Sequence, residues 1–252
     1  MADAGFALVT GAGSGIGKSV ATALVRAGWT TVFTGRTIGR LEEAAHAAQS
    51  TGSGRALAIA CDVSRAEQVE KLFDTIRAEY GRLDLLFNNA GMGYKSTLID
   101  EIPLEVWHDV VDVNLTGSFL CARAAFGQMR RQQPMGGRII NNGSISAHAP
   151  RPGSVPYTTT KHAITGLTKT LALDGRPFDI ACGQIDIGNA MTDMATPMMK
   201  GVPQADGTIK PEAVMDVERV ADAVLHMASL PLDTNVLFMT VMATKMPFVG
   251  RG

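Results

Sequence analysis

Residues 6–17 read Phe6-Ala-Leu-Val-Thr10-Gly11-Ala-Gly-Ser14-Gly15-Ile16-Gly17. Apolar residues typical of a buried strand lead directly into a glycine-rich turn, and a helical pattern follows. Glycines at such a turn let the backbone bend sharply and approach a pyrophosphate at the N-terminus of the helix. The spacing is Gly-x3-Gly-x-Gly rather than the commoner Gly-x-Gly-x2-Gly, because an isoleucine stands where the last glycine is usual. The order of strand, turn and helix predicts a dinucleotide site formed by Gly11, Ser14, Gly15, Ile16 and Gly17, although a turn that binds no ligand would look the same.

The rest of the chain alternates short apolar strands with longer helical patterns, which is typical of parallel βαβ units. Strands are predicted at 6–10, 31–34, 56–61, 83–88, 138–142, 179–185 and 236–241, and helices at 16–27, 41–49, 65–80, 104–131, 156–173 and 217–229. Ser64 and Glu67 suggest a capping box at the start of the third helix, and Gly81 suggests its end.

We therefore expect an α/β fold with one doubly wound (Rossmann) domain over residues 1–252. Its seven-stranded parallel sheet would be flanked by helices on both faces. Residues from about 189 to 215 form the one long irregular insertion, where a substrate loop is expected.

Composition and charge argue against several classes of protein. The chain has 252 residues, of which 46% are hydrophobic and 19% charged, so a large core is available and disorder is not expected. A net charge of −1 gives no support for binding to nucleic acid or to a membrane surface. The three cysteines and five scattered histidines form no metal-ligand pattern, so no metal is expected. The sequence shows no secretory leader or membrane-spanning run, and we expect the protein in the cytoplasm.

The second predicted strand indicates which nicotinamide dinucleotide would bind. NAD sites place an Asp or Glu about 20 residues after the glycine turn to hold the ribose 2′-hydroxyl, whereas an Arg suits a 2′-phosphate. No acidic residue occurs from Gly11 to Leu41, while Arg36 follows the strand and Arg40 comes one helical turn later. We therefore predict NADP(H), with Arg36 on its phosphate, although a solvated surface Arg is the alternative. Further cofactor residues are expected at the ends of the next strands, namely Asp62, Val63, Asn89, Ala90 and Gly91.

Tyr157 and Lys161 are spaced to share one face of a helix, and Ser144 precedes the tyrosine by thirteen residues. An ammonium beside a phenol favours the tyrosinate form, and a phenol tuned in this way exchanges protons with an alcohol or carbonyl oxygen. A nearby serine hydroxyl is placed to polarise the same oxygen. A Tyr-x3-Lys pair alone is a weak signal, but together with the glycine turn it predicts acid–base chemistry on a C–O bond. Asn114, in an otherwise apolar helix, is either a packed hydrogen-bonding residue or part of a proton path.

These motifs together resemble the short-chain dehydrogenase/reductase family over nearly the whole chain, from Thr10 to about Ser229. The motifs that carry the resemblance are Thr10-Gly11-x3-Gly15-Ile16-Gly17, Asn88-Asn89-Ala90-Gly91, Asn114, Ser144 and Tyr157-x3-Lys161.

The resemblance implies a role for each of these residues. Tyr157 would be the catalytic acid/base, Ser144 would orient and polarise the substrate oxygen, and Lys161 would assist the tyrosine and bind the nicotinamide ribose. Asn114 would hold a water that connects Lys161 to solvent. The resemblance also implies that Tyr157, Lys161, Gly188 and Thr192 contact the cofactor and that the chain forms a homo-oligomer, a tetramer or a dimer.

The sequence departs from the family pattern in two places. Ile187 stands where a proline is usual before Gly188, so the turn leading to Thr192 should be less rigid. The C-terminal residues after 241 also lack the usual glycine-rich ending, which removes a basis for inferring subunit contacts.

The function we expect is hydride transfer that interconverts a ketone or aldehyde and an alcohol. Methionines in the insertion (Met191, Met194, Met198 and Met199), with Met92 and Tyr94, suggest a moderately apolar small-molecule substrate, although they would also serve simply to pack the loop. His148 and Arg151 are the polar candidates. The main alternative is a non-catalytic NADP(H)-binding regulatory or scaffold protein on the same fold. Epimerase or dehydratase chemistry on the same scaffold is a third possibility, and the short length argues against its nucleotide-sugar versions.

Overall fold

The computed structural model describes residues 5–249, and within them the chain forms nine strands. In chain order these are β1 (Phe6–Thr10), β2 (Thr30–Gly35), β3 (Arg55–Ala60), β4 (Leu85–Asn88), β5 (Gly137–Asn142), β6 (Ile180–Ile187), β7 (Val202–Pro203), β8 (Ile209–Lys210) and β9 (Phe238–Val241).

Seven of these strands form one parallel sheet in the order β3-β2-β1-β4-β5-β6-β9. The chain builds outward from β1 in one direction and then returns to place β4 on its other side, where Ala7 pairs with Leu85. Ligands of such sheets bind beyond the carboxyl ends of the strands at this reversal of strand order. The predicted α/β doubly wound fold with a seven-stranded parallel sheet is confirmed.

Helices cover both faces of the sheet. They are α1 (Gly15–Arg26), α2 (Ile38–Gln49), α3 (Ala66–Tyr80), α4 (Leu104–Val111), α5 (Gly117–Arg131), α6 (Val155–Asp174), the short α7 (Thr196–Lys200) and α8 (Glu218–Ser229). Helices α1, α2 and α8 contribute to one buried apolar cluster, and α3, α5 and α6 to the other.

The first strand shows how the sequence produces these two layers. Side chains alternate across a strand, so a strand covered on both faces is apolar at nearly every position. In β1, Ala7 and Val9 pack into the cluster with α1 and α2, whereas Phe6 and Leu8 pack into the cluster with α3 and α5. All four side chains are buried.

The predicted helix at 104–131 is interrupted. Residues Asp112–Thr116 form one π-helical turn between α4 and α5, and Asn114 lies within it. Such π turns often mark functional sites, because the extra residue redirects side chains away from the regular helical positions.

The predicted capping box at α3 is wrong. The helix begins after Arg65, and Ser64 instead donates its hydroxyl to Asp62 Oδ1 at 2.7 Å, forming a tight turn at the end of β3. The predicted stop is confirmed, because Gly81 adopts a left-handed conformation (φ 72°) that favours glycine. Strand β6 starts one residue later than predicted, since Asp179 also has a positive φ of 51° and cannot continue an extended strand.

Residues between Ala190 and Met215 leave the sheet and return to it. A bridge joins those two residues at the base of the excursion, where Met191 N donates to Met215 O at 2.8 Å. The excursion contains α7 and the β7–β8 pair, so the predicted irregular insertion has short regular elements. Among residues 5–249, no helix combines the length and apolar character needed to cross a membrane.

Candidate active site

The glycine turn after β1 has a backbone that other residues would not tolerate. Gly11 and Gly15 have φ values of 66° and 53°, in the left-handed region. At Gly17, a Cβ atom would collide with the carbonyl oxygen of Gly11 and lie 2.6 Å from the side-chain nitrogen of Asn89. Helix α1 begins at Gly15 after Ser14, whose side chain makes no capping bond. The result is a helix N-terminus, with its unpaired N–H groups, approached closely by neighbouring backbone.

Asparagines tie this turn to the next two strand ends. The N–H groups of Asn89 and Ala90 both donate to Thr10 Oγ1 at 2.8 Å, and Asn89 Nδ2 donates to the Thr10 carbonyl at 2.8 Å. Asn142, at the end of β5, donates to Asn89 Oδ1 at 2.8 Å. These bonds fix the carboxyl edges of β1, β4 and β5 to one another. The sequence analysis did not single out Asn142, although its position at a strand end beside Ser144 was the available signal.

Tyr157 and Lys161 lie in the first two turns of α6, which starts at Val155 with Pro156 in its first turn. The Lys161 ammonium lies 5.6 Å from the centroid of the Tyr157 ring and donates to the carbonyl oxygen of Asn142 at 2.7 Å. Lys161 is only 6% exposed, so this long side chain is held in one position.

Ser144 lies immediately after β5, where two backbone N–H groups orient it. Its own N–H donates to Asp186 Oδ1 at 3.0 Å, and its hydroxyl oxygen accepts from the N–H of Ser146 at 3.1 Å. Ser144 is 5% exposed and faces the same cleft as Tyr157 and Lys161.

Asn114 is buried beneath the cleft rather than on its wall. Its Oδ1 accepts from Met92 N at 2.7 Å, and its Nδ2 donates to Met92 O at 2.9 Å and to Thr160 Oγ1 at 3.3 Å. The side chain thus joins the π turn to the segment after β4 and to the residue preceding Lys161. The packed, hydrogen-bonded reading of Asn114 is observed, and its part in a proton path stays a prediction.

The predicted site residues meet along one cleft at the carboxyl edge of the sheet. A cavity of about 220 Å³ is lined by the glycine turn, the ends of β4 to β6 and the start of α6; its predicted members are Gly11, Ser14, Gly15, Ile16, Gly17, Asn89, Ala90, Gly91, Ser144, Tyr157, Lys161, Gly188 and Thr192. An adjoining cavity shares Gly11, Ser14, Ala90 and Gly91 with the first and adds Arg36, Asp62 and Val63. An elongated ligand would span both cavities across the glycine turn.

The segment after β6 closes the cleft from the far side. Thr192 faces the start of α1, because a Cβ atom on Gly15 would approach Thr192 Cγ2 to 3.3 Å. Gly188 also lines the cleft, but a Cβ atom there would lie 2.7 Å from Met242 Cβ, so the C-terminal segment itself requires a glycine. Ile187, in place of the usual proline, is the last residue of β6 and pairs with Val241.

The insertion contributes part of the expected apolar wall. Met194 and Met198 line the cleft together with Ala195. Met191 and Met199 are largely exposed and do not line the cavity, nor does Tyr94, which is 38% exposed. Met92 lines the adjoining cavity instead. Two of the four methionines in the insertion therefore line the cleft, and their contact with a substrate stays a prediction.

Arg151 anchors the insertion to the loop that follows Ser144. Its guanidinium donates to Asn189 Oδ1 at 3.0 Å and to Glu212 Oε2 at 2.5 Å, and Asn189 and Gln204 also donate to Glu212. Burial would raise the pKa of Glu212, but the hydrogen bonds from Arg151, Asn189 and Gln204 together lower it below its usual range. Glu212, which no pattern in the sequence singled out, is a buried carboxylate that joins the insertion to the loop after Ser144.

The cysteine beside the adjoining cavity is unreactive in character. Burial raises the pKa of Cys61, beside the adjoining cavity, to about 11, so its thiol stays protonated at neutral pH. Within residues 5–249 there is no group of three or more His, Cys, Asp or Glu side chains that could hold a metal ion.

The chain is similar to known proteins over most of its length. Residues 5–202 match the family model described as short chain dehydrogenase. A 3beta-hydroxysteroid dehydrogenase of Mediterraneibacter gnavus is 38% identical over 178 residues, which are 71% of this chain and only 63% of that relative. The human dehydrogenase/reductase SDR family member 11 is 35% identical over 236 residues, which cover 91% of this chain and 90% of that relative. A similar solved structure is the 3-ketoacyl-(acyl-carrier-protein) reductase from Brucella melitensis complexed with NADH. The match covers 95% of this chain and 97% of that chain, with a TM-score of 0.82 and 25% sequence identity.

Proposed function

Because this chain belongs to the short-chain dehydrogenase/reductase family of oxidoreductases, which act on alcohol and carbonyl groups, we propose that it transfers hydride reversibly between NADP(H) and a ketone or aldehyde. The observation that carries the proposal is the arrangement of Ser144, Tyr157 and Lys161 in one cleft with the glycine turn. A binding or scaffold protein would have no need for this grouping, and so a catalytic role is favoured.

The residues of the cleft fit a dinucleotide. The glycine turn leaves space that a Cβ atom on Gly17 would fill, and the N-terminus of α1 offers N–H donors to a pyrophosphate. When bound there, the cofactor would supply or accept the hydride. The nicotinamide end would lie beside Tyr157, Lys161 and Thr192, and the adenosine end beside Asp62 and Val63.

The choice of NADP(H) depends on the cavity at the end of β2. Arg36, Thr37 and Arg40 line it, and no acidic residue occurs from Gly11 to Leu41. A guanidinium pairs well with a phosphate, whereas NAD sites use a carboxylate on the ribose hydroxyls. Solved relatives of this fold include a protein complexed with NADH, so the fold alone does not select the cofactor and Arg36 carries the preference.

The protein residues would act on the substrate oxygen. Tyr157 would donate its phenolic proton to the carbonyl oxygen during reduction and accept it back during oxidation. Ser144 Oγ already accepts the Ser146 N–H, so its own proton is available to the same oxygen. Lys161 would supply positive charge beside the phenol, and Asn114, below Met92, would help to return protons from solvent.

We propose a moderately apolar carbonyl compound as the substrate. Met194, Met198 and Ala195 line the same cleft as Ser144, Tyr157 and Lys161, and Ile145 and Ile187 add apolar surface. The 3beta-hydroxysteroid dehydrogenase relative, by its name, acts on a large apolar alcohol. Arg151 also lines the cleft, but its guanidinium is paired with Glu212, so it does not present an unpaired positive charge to an acidic substrate.

The direct test is to measure oxidation of NADPH and of NADH in parallel against one carbonyl panel. The panel contains apolar ketones and aldehydes and, separately, small charged keto acids. The proposal predicts turnover with apolar carbonyls and a higher kcat/KM for NADPH. Preference for NADH would contradict the cofactor assignment, and turnover of the keto acids alone would contradict the substrate class. Tight NADPH binding without turnover of any member would favour the scaffold alternative.

The location and the assembly are also part of the proposal. Cys61, Cys121 and Cys182 are free and buried, which suits a reducing compartment such as the cytoplasm. Exposed apolar side chains on α4 and α5, including Leu104 at 73% and Phe119 at 50%, support burial against another copy of the chain. Light scattering of the purified protein should give the mass of a dimer or a tetramer, and a monomer mass would contradict this assignment.

A further inference from the structure

A buried carboxylate lies directly behind the serine of the site. Asp186, in β6, is 1% exposed. Its Oδ1 accepts from the N–H of Ser144 at 3.0 Å and from Gln184 Nε2 at 2.7 Å, and its Oδ2 lies 2.9 Å from His148 Nε2. Oδ1 thus accepts two directed hydrogen bonds, one from the backbone next to the reacting side chain and one from an amide in its own strand.

The backbone around Ser144 is shaped to this carboxylate. Gly143 precedes the serine, and a Cβ atom at that position would collide with Asp186 Oδ1. On the other side, Ile145 packs against the C-terminal residues Ala243 and Met246. Strand β6 and the C-terminal segment therefore hold the Ser144 turn from two directions.

His148 completes the arrangement from the loop that leads to α6. Its ring lies against Asp186 on one side and contacts the ring of Phe248 edge-on, with centroids 6.4 Å apart. The histidine side chain is 47% exposed, whereas the carboxylate that it meets is inaccessible to solvent. His148 is thus the group that joins the buried carboxylate to the surface.

We propose that Asp186, supported by His148, is a positioning residue that orients the Ser144 hydroxyl toward the substrate oxygen. The inference rests on the function proposed above, because it assigns Asp186 an effect only through Ser144. The carboxylate fixes the backbone of Ser144 through its N–H, and the N–H of Ser146 holds the Ser144 hydroxyl oxygen, so the two bonds together set the direction of the hydroxyl. Hydrogen bonds to a carboxylate are stronger than those between neutral groups, and a reacting group displaced by about 1 Å loses about 100-fold in rate.

Amide hydrogen exchange tests the contact without reference to activity. Asp186→Ala removes the acceptor, so protection of the Ser144 amide should fall by about 10-fold or more, which corresponds to the loss of one hydrogen bond. Asp186→Asn keeps an acceptor oxygen of the same shape and should retain most of the protection. An unprotected Ser144 amide in the unmodified protein would overturn the inference.

A double-mutant cycle tests the consequence for catalysis. Asp186→Ala should lower kcat by about 100-fold with little change in the KM for NADPH, and Asp186→Asn should restore kcat to within about 10-fold. In a Ser144→Ala background, Asp186→Ala should lower kcat by less than about 3-fold, because residues that act as a unit are not additive. Gln132→Ala is the matched control. It removes buried hydrogen bonds to Leu83 and Gly136, which lie before the amino ends of β4 and β5, away from the cleft.

The outcomes separate this inference from the proposed function. An equal loss of kcat from Asp186→Ala in both backgrounds, or an equal loss from Gln132→Ala, would show a general structural effect and overturn the inference alone. Unchanged kcat in the Ser144→Ala single variant would refute the proposed role of Ser144 and the inference with it.

Discussion

The Lys161 ammonium lies 5.6 Å from the centroid of the Tyr157 ring while it donates a 2.7 Å hydrogen bond to the carbonyl oxygen of Asn142. A four-residue spacing on α6 places the two side chains on one face, and the bond to the end of β5 fixes the ammonium there. Because Asn142 also bonds to Asn89, the same contact connects the phenol to the strand ends that border the glycine turn.

Lys161→Met should lower kcat by about 100-fold or more and raise the KM for NADPH, because it removes both the positive charge beside Tyr157 and the bond to Asn142. Steady-state kinetics with a substrate from the carbonyl panel provide the measurement. Lys169→Met is the matched control, since Lys169 lies on the same helix with its ammonium near the Phe238 ring, away from the cleft. Equal effects of the two substitutions would refute a specific role for Lys161.

Arg36→Ala should reduce kcat/KM for NADPH by about 10- to 100-fold and leave kcat/KM for NADH nearly unchanged, because a hydrogen bond to a charged group contributes about 1.5–3 kcal/mol. The ratio of the two values, measured on one substrate, is the readout. Arg26→Ala serves as the control, since Arg26 is the last residue of α1, at the end remote from the glycine turn, and pairs there with Glu218 of α8. A parallel fall with both cofactors would indicate that Arg36 does not contact the 2′-phosphate.

Gly17→Ala should destabilise the protein by about 1–3 kcal/mol and weaken NADPH binding, because the added methyl group collides with the Gly11 carbonyl and the Asn89 side chain. Thermal unfolding and fluorescence titration measure the two effects. The control is Gly39→Ala, where a Cβ atom would meet nothing within 4 Å. If Gly17→Ala kept full stability and affinity, the close packing of the glycine turn would be wrong.

Glu212→Gln should reduce the loss of stability that the protein undergoes as the pH falls into the acid range. The folded pKa of Glu212 lies below its ordinary value of 4.5, so its contribution is present above pH 4.5 and is lost as pH falls through the folded pKa. The free energy of unfolding, measured by urea titration from pH 7 to pH 3, should therefore fall less steeply in the variant. At pH 7 the variant should be less stable by about 1–3 kcal/mol, because Arg151 loses its buried anionic partner.

Glu105→Gln, at the exposed start of α4, is the control for that experiment. It removes one carboxylate that takes no part in the hydrogen bonds around Arg151. In this variant the free energy of unfolding should fall with pH as steeply as in the unmodified protein. An identical pH profile in the Glu212 variant would contradict the assigned role.

The sequence patterns predicted the parallel sheet because both of its faces are covered and its strands are therefore mostly apolar, as β1 illustrates. They also predicted the meeting of Ser144, Tyr157 and Lys161, since Ser144 follows a strand end and the other two residues start the next helix. Local patterns were less informative at Ser64, where a hydroxyl that suits a helix cap bonds to Asp62 instead.

What the sequence did not reveal depends on contacts between distant segments. Asp186 looks like an ordinary strand residue until β5 and β6 bring it behind Ser144, 42 positions away. Glu212 gains its importance only from Arg151, which is 61 positions earlier. Gly188 suggested a cofactor contact, yet its lack of a side chain is also required by Met242 and Met246. Such pairings follow from the folded topology and not from spacing along the chain.

The central claim is that Tyr157 is the proton donor and acceptor of a dehydrogenase site. Its most direct test is the kcat of Tyr157→Phe with NADPH and an active carbonyl substrate, measured beside NADPH affinity by fluorescence titration. Tyr80→Phe is the matched control, because its ring stacks on Phe6 outside the cleft. We expect Tyr157→Phe to lose nearly all turnover while NADPH binds with almost unchanged affinity, and Tyr80→Phe to keep full activity. Retained turnover in Tyr157→Phe would contradict the account.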